Sequence, residues 1–282
     1  MRIVLRGHWL TTGVVQQIAQ IAGAGRIEAR DASCWRLAQF AAPLSMPQLA
    51  RIRAAADAVR ADANIIAQPR TLQSYRLAVM DMDSTLITIE CIDEIADLLG
   101  LKPEVAAITE AAMRGEIAYP ESLRQRVSLL KGLDVAALER VYSERLKLSS
   151  GAEIMLAAFK AAGLKTLLVS GGFSFFTEKL KARLGLDYTH SNLLGMAEGK
   201  LTGEVIGGLV DAEAKAVKLA ETCAQIGCAA NDAIAMGDGA NDLKMMAIAG
   251  MSVAYRAKPV VRAQAMTALN HNGLDAVLDF FD

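Results

Sequence analysis

Two carboxylates two positions apart, followed by two hydroxyls, stand in the run Asp81-Met82-Asp83-Ser84-Thr85. Two further polar clusters have the same compactness: Ser170-Gly171-Gly172, and Gly237-Asp238-Gly239-Ala240-Asn241-Asp242. A lone aspartate of this kind most often caps a turn. If the three clusters meet, however, Asp81, Asp83 and Asp238 repel one another unless a cation neutralises them. A hard cation suits such oxygen donors, and Mg²⁺, held by a few carboxylates, waters and a substrate phosphate, is the expected cofactor. The four cysteines form no Cys-x-x-Cys pair and there are only three histidines, so imidazole or thiolate metal chemistry lacks ligands. Amides of the glycine-rich turns and the hydroxyls of Ser84, Thr85 and Ser170 can donate to phosphate oxygens. Competing phosphate motifs fail: Gly195-x-x-x-Gly199-Lys200-Leu201 is one residue short of a P-loop and has no hydroxyl after the lysine.

Each cluster follows an apolar stretch read as a strand: Arg76–Met80, Lys165–Val169 and Ala233–Met236. Helical spacing is read at Ile154–Ala162, closed by Gly163, at Phe175–Leu184, ended by Gly185, and at Ala214–Ala224 and Asp242–Ala249, with a further strand at Val253–Tyr255. Alternating strands and helices predict a parallel sheet covered on both faces. In such sheets the ligand crevice lies beyond the carboxyl ends of the strands, so all three clusters are expected to converge. Lys215, at the start of a predicted helix, would by itself read as a solvated charge. The span 91–149 is helical by pattern and too long for an ordinary crossover, which predicts an inserted helical cap. Residues 192–210 hold five glycines and alternate weakly, as a hairpin or flap would.

Residues 1–70 form a pattern of their own. Strands are read at Arg2–Arg6, Arg26–Ala32, Trp35–Phe40 and Asn64–Ala67, with helices from Thr12 to about Ala24, ended by Gly25, and over Met46–Ala61. The order βαββαβ is the ferredoxin-like arrangement. The fold class is thus α/β: a Rossmann-like parallel-sheet core with an inserted cap over 71–282, preceded by a small α+β domain over 1–70, with Gln68–Thr71 as linker.

Composition agrees with a folded two-domain chain. Of 282 residues, 53% are hydrophobic and 22% charged, and the formal net charge is −1, which gives no global attraction to nucleic acid or an anionic membrane. No apolar run approaches the roughly 18 residues of a spanning helix. A soluble, cytoplasmic protein with free thiols is expected.

The ordered motifs resemble those of the haloacid dehalogenase superfamily: Asp81-Met-Asp-Ser-Thr the first, Ser170 the second, Lys215 the third and Gly237-Asp-Gly-Ala-Asn-Asp242 the fourth. Within it they are most similar to the phosphoserine phosphatase family, matched by the run from Asp81 through Glu90 to Ala96, by Ser122-Leu-Arg-Gln-Arg126-Val-Ser-Leu-Leu-Lys131 and by Ser170-Gly-Gly-Phe173. That resemblance implies hydrolysis of O-phospho-L-serine, the closing step of serine biosynthesis, with Mg²⁺. It implies Asp81 as nucleophile, Asp83 as general acid and base, and Asp81, Asp83 (through its carbonyl) and Asp238 as metal ligands with Asp242 behind them. Ser170, Gly171, Lys215 and Asn241 would contact phosphate or substrate, Glu90 the substrate ammonium and Arg126 its carboxylate. The alternatives are a phosphotransferase, or a phosphatase for a related amino-alcohol phosphate. Residues 1–70 resemble an ACT-type domain in strand order, which implies L-serine or another amino acid as ligand and pairing into a homodimer.

Overall fold

The computed structural model describes residues 1–114 and 116–282; Gly115, inside the span expected to form the cap, lies outside the described residues. The chain begins with β1 (Arg2–Arg6), α1 (Thr12–Ala22), β2 (Ala24–Ala29), β3 (Cys34–Phe40), α2 (Met46–Asp57) and β4 (Asp62–Ile66). These strands form an antiparallel sheet of order β2-β3-β1-β4. Thr11 caps α1 by accepting from the Val14 amide, and Ser45 and Gln48 form a reciprocal capping box on α2. Gly23, not Gly25, ends α1. It adopts φ +63°, the left-handed conformation that glycine tolerates, and its N–H closes the last turn. Gly25 serves β2 instead, where an added Cβ would stand 3.1 Å from the Gln39 carbonyl oxygen.

The second sheet starts with β5 (Leu77–Met80). There follow α3 (Cys91–Leu98), α4 (Lys102–Met113), α5 (Tyr119–Ser128), α6 (Ala136–Arg140) and α7 (Ala152–Ala161) before β6 (Lys165–Phe173). The chain continues through α8 (Ser174–Leu184), β7 (Tyr188–Ala197), β8 (Lys200–Ile206), α9 (Ala212–Ile226), β9 (Ala233–Gly237), α10 (Leu243–Ile248), β10 (Met251–Tyr255), α11 (Pro259–Gln264) and β11 (Thr267–Leu269). The strand order is β11-β10-β9-β5-β6-β7-β8, parallel throughout except for the β7–β8 hairpin.

All four residues of β5 are buried because both faces of the strand are covered. Leu77 and Val79 pack with Leu219 and Cys223 of α9 and Met245 of α10. Ala78 and Met80 face the other way, toward Met155 and Phe159 of α7 and Phe176 of α8. Helices α3 to α6 form the layer inserted between β5 and α7. That layer also grips the hairpin: the Gly132 amide donates to the Leu201 carbonyl at 2.8 Å, and the Leu201 amide to the Leu133 carbonyl at 2.8 Å.

Two local readings change. β6 does not stop at Val169 but runs through Ser170-Gly171-Gly172, with Ser170 opposite Ser191 and Phe173 opposite Asn192. The two glycines are therefore extra residues bulging from the strand, not a turn after it. The helix expected from Asp242 begins at Leu243, because Ala240–Asp242 is a separate tight turn.

The two sheets meet where β4 lies against β11. The Asn64 side-chain amide donates to the Ala268 carbonyl (2.9 Å) and accepts from the Ala268 N–H (2.7 Å). The buried Asp62 carboxylate accepts from the amides of Asn270 (2.7 Å), His271 (3.3 Å) and Asn272 (3.2 Å) and from the Asn272 side chain (2.7 Å). Arg2 and Arg36 reach the C-terminal segment, donating to the carbonyls of Phe280 and Phe281 respectively. Replacing Asp62 by Ala strands several buried donors together. We expect it to lower stability by about 2–3 kcal/mol, read as a fall in the urea midpoint with the denaturant slope unchanged.

Candidate active site

Asp81 is the residue directly after β5, carried to the carboxyl end of the sheet by that buried strand. Its Oδ1 accepts from the Met82 amide (2.7 Å) and lies 2.9 Å from Lys215 Nζ. Among the described residues no protein donor occupies Oδ2. Lys215 sits in the first turn of α9, which starts where Asp211 accepts from the Ala214 amide at 2.9 Å. Far from being solvated, Lys215 is 0% exposed, and its ammonium also donates to Asp242 Oδ1 at 2.7 Å. Asp242 in turn accepts through Oδ2 from the amides of Asp238 (3.2 Å) and Gly239 (3.0 Å), which holds the turn after β9 closed. Ligand oxygens of Asp81, Asp238 and Asp242 all lie within 4.8 Å of one another.

This cluster sets three carboxylates close together, with one ammonium paired to two of them. Burial pushes the Asp81 carboxyl well up, and the Asp242 charge adds to this while Lys215 opposes it. Burial, followed by the Asp242 charge, raises Asp238 to about 6. Burial alone would lower Lys215, but Asp81 and Asp242 outweigh it and hold the ammonium above the usual lysine range. The short Lys215–Asp81 contact and the upward push on Asp81 point in opposite directions. Both follow from one cation serving two acids. Oxygen-only donors with surplus negative charge fit a hard divalent cation, whose binding removes the repulsion.

Asp83 is placed differently. Its Oδ1 accepts from the Cys91 amide at 3.0 Å, and its side chain lies outside the trio of clustered carboxylates. Burial first, and then the Glu90 charge, raise it to about 7, against the Cys91 bond. The β6 bulge lies against it: a Cβ on Gly172 would stand 2.7 Å from Asp83 Oδ2, so only glycine fits without a shift. Ser170 Oγ accepts from the Gly172 amide at 2.8 Å, which leaves its own hydrogen free to donate. Ser84 and Thr85, read from the sequence as phosphate donors, are committed elsewhere. Ser84 Oγ donates to Glu90 Oε1 (2.6 Å) and Thr85 Oγ1 to Asp238 Oδ1 (3.2 Å).

These groups border a crevice of about 600 Å³. Its sheet-side wall holds Asp81, Asp83, Ser170, Gly171, Asp238 and Asn241, and its other wall, from the inserted helices, holds Glu90, Tyr119 and Arg126. Arg126 donates from Nε to the Ser122 carbonyl at 3.3 Å and makes no ion pair among the described residues. Every residue singled out from the sequence is thus in or directly behind one crevice. Sequence reasoning missed Tyr119 and Lys258, which also line it. Lys258 opposes the burial-driven rise of Glu90 and Asp238. Only the proline after each, Pro120 and Pro259, marked these residues as lying at helix starts.

Residues 78–247 match the model of the haloacid dehalogenase-like hydrolases, and the chain belongs to that family. It is 57% identical over 221 residues to a phosphoserine phosphatase of Polaromonas sp. (strain JS666), an alignment covering 77% of this chain and 94% of that one. A haloacid dehalogenase family hydrolase of Salmonella enterica serovar Typhi superposes with a TM-score of 0.91 at 31% identity, covering 100% of this chain and 98% of the other. A phosphoserine phosphatase solved as a phospho-aspartyl intermediate analogue superposes with a TM-score of 0.69 at 38% identity, over 74% of this chain and 99% of that one. Among the described residues no helix is long and apolar enough to cross a membrane.

Lys215→Met removes the one cation that, among the described residues, stands between buried Asp81 and Asp242. In the absence of divalent metal it should destabilise the fold by about 3–5 kcal/mol, measured by urea unfolding in EDTA.

Proposed function

We propose that this chain hydrolyses O-phospho-L-serine to L-serine and phosphate through an aspartyl phosphate on Asp81, with Mg²⁺ as its metal. One observation carries the reading. The sheet-side wall presents Asp81 with a free oxygen, while the facing wall presents one acid, Glu90, and one fork-shaped cation, Arg126, that has no carboxylate partner among the described residues. Phosphoserine offers a phosphate, an ammonium and a carboxylate, and Arg suits bidentate carboxylate recognition. Relatives carrying that name, over most of their own length, support the same reading.

Asp81 Oδ2 attacks phosphorus in line as the bond from phosphorus to the serine oxygen breaks. Asp83, raised to about 7 by burial and Glu90, is protonated in a large fraction of molecules near neutral pH and gives its proton to the departing oxygen. Serine leaves; a water then gives a proton back to Asp83 and attacks the phosphoryl group, releasing phosphate and restoring Asp81. Ser170, the Gly171 amide and Asn241 hold the phosphoryl oxygens, and Lys215 balances charge on Asp81. Asp81, Asp238 and the Asp83 carbonyl would hold the Mg²⁺, with Asp242 behind them. That ion supplies positive charge against the phosphoryl oxygens where negative charge accumulates.

We divide the chain functionally into residues 1–70 and 71–282. Arg70 supports that boundary, since it ties the connecting segment to the core by donating to the Asn231 carbonyl (2.8 Å) and stacking 4.2 Å from the Tyr75 ring.

Asp81→Asn should cut phosphoserine turnover more than about 1,000-fold, and activity should disappear with EDTA and return with Mg²⁺. Turnover within about tenfold of wild type would remove Asp81 from the nucleophile role. Arg126→Ala should lower kcat/KM for phosphoserine on the order of 10- to 100-fold, while hydrolysis of a neutral aryl phosphate changes only a few-fold. The pH profile of kcat/KM should lose activity as pH rises through about 7, where Asp83 gives up the proton it must donate. In Asp83→Asn that alkaline limb should vanish from whatever activity remains.

A further inference from the structure

Asn192 takes no part in the chemistry above, yet it is 0% exposed and both ends of its side chain are engaged. Its Nδ2 donates to the Gly171 carbonyl at 2.7 Å, and its Oδ1 accepts from the Val210 amide at 2.8 Å. The partners fix the orientation of the amide, since a carbonyl can only accept and a backbone N–H can only donate. Gly171 belongs to the β6 bulge, and Asn192 stands opposite Phe173, where the register with β7 is restored. Val210 directly precedes Asp211, the residue that caps α9 and so sets the position of Lys215. One buried amide therefore joins the bulge that borders the reacting centre to the segment that launches the helix bearing the cation. Tyr119 from the opposite wall rests on the same junction, its hydroxyl 3.5 Å from the Gly171 carbonyl and 3.4 Å from that of Val210.

We infer that Asn192 is a positioning residue: it holds the Gly171–Gly172 bulge and the start of α9 in register with each other, so that phosphate is met by correctly aimed donors. This inference rests on the reading of the crevice as a phosphoryl-transfer site. The bulge needs such a tie because Gly171 and Gly172 lie outside the β6–β7 register and have no side chains of their own to anchor them. The energetic logic is that of an amide with two obligate partners. Removing it leaves the buried Val210 N–H unpaired and the part-buried Gly171 carbonyl with only the long contact to the Tyr119 hydroxyl, and the two segments relax by moving apart. A displacement of about 1 Å at a reacting site can lower the rate on the order of 100-fold.

Asn192→Asp keeps the shape but sets an acceptor against the Gly171 carbonyl; Asn192→Leu keeps approximate volume and removes both bonds. In full-length protein with Mg²⁺, both variants should lose on the order of 100-fold in kcat and in affinity for inorganic phosphate measured by calorimetry. Affinity for Mg²⁺, whose ligands lie on other segments, should stay within about threefold. Asn192→Ser, with a smaller side chain, carries the same expectation should either variant fail to fold. Phosphate affinity and kcat within about threefold of wild type, with only thermal stability reduced, would overturn the assignment. So would parallel loss of phosphate and Mg²⁺, which would mean general collapse of the site. Failure of the wild type to hydrolyse phosphoserine would instead overturn the functional reading, and the phosphate titration would still decide the role of Asn192.

Discussion

The ammonium of Lys215, buried completely between Asp81 at 2.9 Å and Asp242 at 2.7 Å, is the constraint around which this fold is arranged. Taking a charge out of water costs several kcal/mol unless partners and hydrogen bonds replace the lost solvation. Here the partners come from the ends of two neighbouring strands, β5 and β9, so the first turn of α9 must press against the sheet at that point. The apolar residues further along α9, Leu219 and Cys223, seal the approach against Leu77, Val79 and Leu167. The charge balance still does not close within the protein. Asp238 adds a third carboxylate, and the surplus negative charge suits the crevice to the hard cation proposed for it.

The sequence made the placement of the polar clusters at the strand ends readable for a physical reason. Strands covered on both faces appear as unbroken apolar runs, and a polar cluster directly after such a run has few explanations. Leu77–Met80 before Asp81 and Ala233–Met236 before Asp238 are of this kind. What stayed hidden depends on partners distant in sequence. Nothing near Lys215 reveals that it is buried, since its two acids lie 134 and 27 positions away. Ser84 and Thr85 look like phosphate donors until Glu90 and Asp238 claim them. Two adjacent glycines read as a turn, while here they are a bulge inside a strand whose neighbour continues. The sequence pattern predicts an end to α1 at Gly25, but the helix stops at Gly23, the first residue able to turn left-handed after the apolar spacing runs out. β11 has only three residues and carries no periodicity to detect.

The crevice divides its tasks between two walls of different origin. The sheet side carries groups whose positions are fixed by the parallel core. The inserted helices carry Glu90 and Arg126, and are tied to the core by Tyr119 and by the hairpin at Leu201. On the proposed reading, reaction chemistry and substrate choice are held by separate layers, and a change in the helical layer would alter what is recognised while leaving Asp81 undisturbed.

The Asn64 side chain, pairing with both backbone groups of Ala268, has a further meaning for the chain as a solute. β4 and β11 are the outer strands of their sheets, and an outer strand left open is a template on which other chains can assemble. By presenting an amide in the geometry of a backbone unit, Asn64 turns two such templates toward each other and occupies part of both. The outward edges that remain are β2 and the part of β8 beyond Leu201, whose outer side is taken by Gly132 and Leu133. β2 carries Arg26 and Glu28, and that part of β8 carries Glu204, charges of the sort that discourage strand addition. The joint between the two sheets thus serves colloidal stability as well as architecture.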